Sequence, residues 1–154
     1  MEKTYTIHYQ DCPIDKLNNS DRELLRCAID AADTAYAPYS NFHVGAALRL
    51  GDGTIVKGSN QENVAYPSGL CAERTALFAA SAQYPGEVVD ALAIVGRDGE
   101  GHLVAALPCG ACRQVMAEQE TRQGKPLRVI CYQTDAKILI FEGIETLLPF
   151  IFTM

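Results

Sequence analysis

The chain has 154 residues, 48% of them apolar and 21% charged, proportions that fit one globular domain with its own core and exclude a disordered or collagen-like chain. Its 13 Lys and Arg stand against 19 Asp and Glu, a net charge of −6. No Lys/Arg cluster of the kind that grips polynucleotide phosphates is present, so a small, weakly charged ligand is expected and nucleic acid is not. The opening residues Met1-Glu2-Lys3-Thr4-Tyr5 form no signal-type apolar stretch, and no run approaches the ~20 apolar residues of a membrane helix. The expectation is a cytoplasmic protein with no membrane contact. In a reducing compartment its six cysteines read as metal ligands, reactive thiols or small core residues, not disulfides.

Residues 3–9 alternate loosely and predict a strand. Ser20-Asp21-Arg22-Glu23 resembles a capping box, with Ser20 capping and Glu23 reaching back. Leu24, Leu25, Ala28, Ile29, Ala32 and Ala35 then follow helical spacing, and the helix should end before Pro38. Val44, Ala46, Leu48 and Leu50 alternate as in a strand, and Gly51-Asp52-Gly53 turns the chain into Thr54–Lys57, a hairpin. A polar loop runs from Gly58 to about Leu70. A helix is predicted from Cys71 to about Gln83, and a buried strand over Val88–Val95. After the short apolar run Leu103–Leu107, a helix of about ten residues starts near Cys109 behind Pro108. Two strands, Leu127–Tyr132 and Ile138–Phe141, follow. A hairpin followed by alternating helices and strands predicts an α/β fold of three layers, a mixed β-sheet covered by helices. No repeat or linker divides residues 1–154, which read as a single domain whose first 20 residues carry no firm structural signal.

Two segments stand out, Cys71-Ala72-Glu73-Arg74 and Pro108-Cys109-Gly110-Ala111-Cys112-Arg113. Both lie at predicted helix starts, where unpaired N–H groups favour negative charge and lower a thiol's pKa. Cys109 and Cys112 can grip one ion, and Cys71 adds a third sulfur. Structural zinc sites are closed by four protein ligands, whereas catalytic ones keep a position for water and lower its pKa to about 7. Glu73 lies two residues after a ligand, near a metal without binding it, and suits a proton carrier. Alone, the Cys-x-x-Cys also fits a redox pair or two buried thiols; together with Cys-x-Glu it matches the pattern of zinc nucleobase deaminases.

From about Tyr36 to Phe152 the chain resembles the small, three-cysteine cytidine deaminases. Tyr39-Ser40-Asn41-Phe42-His43-Val44-Gly45-Ala46-Ala47 is similar to that family's first strand and its lead-in. Asn60-Gln61-Glu62-Asn63 is similar to its ribose loop, the two cysteine segments to its zinc segments, and Leu147-Leu148-Pro149 to its C-terminal segment. The resemblance implies one Zn²⁺ per chain on Cys71, Cys109 and Cys112, with Glu73 as the proton shuttle. It implies that Asn60 and Glu62 bond the ribose hydroxyls, that Phe42 packs on the pyrimidine and that the Ala72 N–H holds the base carbonyl. It further implies a homotetramer in which Phe152 reaches a neighbour's active site. Val64 departs from the small residue many members carry after the ribose loop.

Three thiolates and Zn²⁺ sum to −1, which weakens a metal's hold on water protons; Arg74 and Arg113 are candidates to offset it, and Arg74 is assigned that role. Cys27 and Cys131 read as buried thiols, Cys12 as uninvolved, and His8, His43 and His102 as ordinary. The expected function is hydrolytic deamination of cytidine and deoxycytidine in pyrimidine salvage. The alternatives are a deaminase of another aminopyrimidine nucleoside such as blasticidin S, and a non-catalytic zinc domain in which Cys131 or a histidine closes the site.

Overall fold

In the computed structural model, which describes residues 1–154, strand β1 spans Gln10–Pro13 and helix α1 Asn19–Ala32. The hairpin β2 (His43–Leu50) and β3 (Ile55–Ser59) follows, then α2 (Ala72–Gln83), β4 (Val89–Arg97), β5 (Leu103–Val104), α3 (Gly110–Gln123), β6 (Arg128–Tyr132) and β7 (Lys137–Phe141). The sheet order is β1-β7-β6-β4-β2-β3, with β5 added to β4. Only β4 and β6 pair in parallel, because α3 carries the chain back between them.

The pleat divides the core. On β4, Ala91, Ala93 and Val95 face Leu24, Leu25 and Ala28 of α1, while Leu92 and Ile94 face Ala76, Leu77, Cys112 and Met116 of α2 and α3. Period-two alternation thus puts one helix on one face and two on the other. The expected three-layer mixed sheet is the observed one. At Gly58 on β3, an added Cβ would stand 2.5 Å from Ala76 N and 2.6 Å from Ala72 O. Glycine lets α2 rest directly on the sheet backbone, which fixes the height of its first turn.

Two local expectations are corrected. Residues 3–9 are not a strand: Tyr5, Ile7 and Tyr9 are exposed, and sheet pairing begins at Gln10 against Ile140. The cap of α1 is Asn18, not Ser20. Asn18 Oδ1 accepts the Asp21 N–H at 2.8 Å, while Ser20 Oγ accepts from Arg49 at 2.7 Å. Asp21, 1% exposed, is paired by Arg49 at 3.3 Å and Arg128 at 3.0 Å, tying α1 to two strands.

Candidate active site

Cys71 is the N-cap of α2 and Cys109 the N-cap of α3, with Cys112 inside α3's first turn. The helix starts meet. Cys71 Sγ lies 3.7 Å from Cys109 Sγ, and Cys109 Sγ 3.5 Å from Cys112 Sγ. Two sulfurs on one tetrahedral zinc, each about 2.3 Å from it, stand about 3.8 Å apart. Two of the three separations match that value, and all three sulfurs lie within 4.8 Å of one another, so the trio is placed to hold one zinc. No fourth Cys, His, Asp or Glu joins this cluster, so the arrangement is the open, three-ligand kind. Cys131 is buried in β6 and outside it, which removes the closed structural site as a reading of this chain.

Glu73 is 3% exposed in the first turn of α2. Burial pushes its carboxyl up to about 7, with the charge of Cys71 adding to the rise; a dication on the adjacent sulfurs opposes that. The Cys71 thiol is pulled down to about 5, first by hydrogen bonding with Cys112 and then by the Arg74 guanidinium. Arg74 Nη2 lies 3.5 Å from Cys71 Sγ, the place expected of a charge-compensating cation. Arg113 does otherwise: its Nε donates to Pro108 O at 2.9 Å and its Nη1 to Leu147 O at 2.8 Å.

A cavity of about 510 Å³ opens beside Cys71 and Arg74, and Asn60 and Glu62 line it with Tyr39 and Tyr66. Glu62 Oε1 accepts the Tyr39 N–H at 2.9 Å and the Ser40 N–H at 3.1 Å. Hydrogen bonding, foremost from Ser40, holds this carboxyl below its usual range. Asn60 Oδ1 accepts the Val44 N–H at 2.7 Å, and its Nδ2 donates to Phe42 O at 2.9 Å. The loop is thus braced by the side chains expected to meet a ligand. The Phe42 ring lies over Gly96, where an added Cβ would come within 2.8 Å of it. Ala72 is buried at the head of α2, where first-turn N–H groups have no intrahelical partner.

Phe152 is not brought to this cavity. It lies against α3 and is 71% exposed. Sequence reasoning missed Tyr39 and Tyr66, whose rings meet edge-on 5.9 Å apart at the cavity wall. Their signal was available: two aromatics in otherwise polar loops flanking Asn60 and Glu62. His102 bonds Asp98 in a surface turn, and no histidine joins the sulfurs.

The family model of the cytidine and deoxycytidylate deaminase zinc-binding region matches residues 18–125. A cytidine deaminase of Halalkalibacterium halodurans is 50% identical over 99 residues, 64% of this chain and 71% of that one. The crystal structure of cytidine deaminase from Burkholderia pseudomallei superposes with a TM-score of 0.72 at 43% identity, covering 84% of this chain and 97% of that one. That of cytidine deaminase from Mycobacterium tuberculosis does so with a TM-score of 0.68 at 35% identity, covering 89% and 100%.

Proposed function

The chain belongs to the cytidine and deoxycytidylate deaminase family, and from that premise we propose that it hydrolyses cytidine and deoxycytidine to uridine and deoxyuridine, releasing ammonia. The observation that carries this reading is the pairing of an open three-sulfur site with one buried carboxylate, Glu73, in the same helix turn as a ligand. When bound, zinc supplies Lewis-acid activation of water. As the water oxygen adds to C4 and the C4–N bond then breaks, Glu73 carries the two water protons, the first to N3 and the second to the amino nitrogen, which leaves as ammonia. Arg74 balances thiolate charge. The Ala72 N–H bonds the base carbonyl. Phe42 packs against the pyrimidine, and Glu62 and Asn60 receive the ribose, Glu62 through its second oxygen.

Ammonia release from cytidine, deoxycytidine, cytosine and adenosine tests the assignment. Turnover of the first two well above cytosine, with none of adenosine, is expected. Turnover confined to another aminopyrimidine nucleoside, such as blasticidin S, would replace it.

The same reading extends to a homotetramer, in the cytoplasm, serving pyrimidine salvage. Its supports are the exposed C-terminal Phe150, Ile151 and Phe152, an apolar edge of the kind that marks an interface, and six free cysteines. No helix is long and apolar enough to cross a membrane. Mixing Phe152→Ala with Glu73→Ala under subunit exchange should raise activity above the sum of the parts. A monomeric mass in dilute solution would sink the tetramer.

A further inference from the structure

We propose that Gln114 is a positioning residue for Phe152: its side-chain amide clasps the backbone of residue 152 and sets where the C-terminal aromatic is presented. Gln114 Nε2 donates to Phe152 O at 3.1 Å, and the Phe152 N–H donates to Gln114 Oε1 at 3.3 Å. One carboxamide that both gives to and takes from a single residue imitates a strand pairing. It fixes the direction of that peptide and its rotation, which a single bond would leave free.

The neighbouring side chain extends the device. Arg113 holds Leu147 O and Pro108 O together. The stretch from Leu147 to Phe152 therefore hangs from two consecutive residues of α3, directly after Cys112. Its polar anchors lie on the helix that carries two of the three sulfurs, while Leu147 and Leu148 pack into the core shared with the sheet. Because the clasp grips backbone alone, Phe152 rests against α3 yet stays 71% exposed and outside its own chain's cavity. An aromatic held in place and still largely exposed is what delivery to another surface requires. The inference rests on the reading of Phe152 as a residue that reaches a neighbour's active site.

The test uses the zinc-loaded full chain as wild type, Gln114→Ala, Phe152→Ala and the double variant. Cytidine kinetics and amide hydrogen exchange at residue 152 are measured on each. Gln114→Ala should raise KM about 3- to 10-fold, the worth of two partly exposed hydrogen bonds, with kcat and zinc content kept. Added to Phe152→Ala it should change nothing further, since the two act through one another. Exchange at the Phe152 amide should quicken. Gln114→Glu keeps the acceptor, loses the donor and should fall between, which also serves if the alanine variant folds poorly. Additive losses, or a fall in kcat with KM unchanged, would overturn the positioning role. An unchanged exchange rate would overturn the clasp. If Phe152→Ala leaves KM unaltered, the reading of Phe152 as part of a neighbour's active site fails by itself, and the exchange rate still decides whether the clasp exists.

Discussion

Two helix starts, Cys71–Arg74 and Cys109–Arg113, bring cysteines and an arginine to one point, and they use the arginine differently. Arg74 turns to the sulfur of Cys71, whereas Arg113 turns to the carbonyls of Pro108 and Leu147. Helical spacing does not separate them, since Arg74 follows Cys71 by three residues and Arg113 follows Cys109 by four, both same-face relations. What differs is the surroundings: the carbonyls of Pro108 and Leu147 lie within reach of Arg113 and occupy its donors. The α2 start also carries the buried Glu73, while at the α3 start Gly110 and Ala111 are exposed. Similar composition thus yields a chemical end and a fastening end.

The largest expected effect that would break this comparison falls on the ligands. Cys112→Ser should lose nearly all bound zinc and activity, while Cys131→Ser, equally buried but outside the cluster, should keep its metal. Zinc content by atomic absorption checks both; loss in the Cys131 variant would place that thiol in the site. Next comes Arg74→Gln. Groups that tune a metal's ligands are typically worth about 10–100-fold in activity or metal affinity, so a loss of that order is expected in kcat or in competition with a chelator. A wild-type profile would move the charge-balancing role elsewhere.

Glu62→Ala sharpens the division between chemistry and binding. Its loss should cost cytidine about 1–3 kcal/mol of binding and free cytosine far less, read as the ratio of kcat/KM values. Equal losses would leave Glu62 only as the brace for the Tyr39 and Ser40 amides. Smaller in rate is Arg113→Ala. Two carbonyls lose their donor, about 1–3 kcal/mol of stability at most, visible as a lower urea midpoint with zinc content kept. A rate loss as large as that of Arg74→Gln would erase the contrast between the two arginines. Val64, 80% exposed, should tolerate alanine within about 0.5 kcal/mol, measured in the same unfolding series.

What was legible in the sequence was what is local. Cys71 and Glu73 sit within one helical turn, Cys109 and Cys112 within another, and a helix start has the same electrostatics wherever it stands. The sheet was legible because β2, β4, β6 and β7 are apolar enough to read as strands without knowledge of their partners. Illegible features depend on residues distant in the chain. Asn18 and Ser20 are comparable caps by type, and Arg49 decides between them by occupying Ser20. Asp21 reads as a surface acid until Arg49 and Arg128 reach it. The 3–9 alternation finds no strand to pair with. Asn60 reads as a ligand contact, yet its amide already spans Phe42 and Val44, and Arg113 could not be placed before Leu147 was.

The claim that Glu73 performs proton transfer beside a metal it does not bind is tested most directly by measuring zinc and ammonia release on the same preparation of Glu73→Ala. About one zinc per chain, an intact fold and a rate reduced by ~10²–10⁴-fold or more are predicted for a general acid–base group. Near-normal ammonia release with zinc in place would contradict the account.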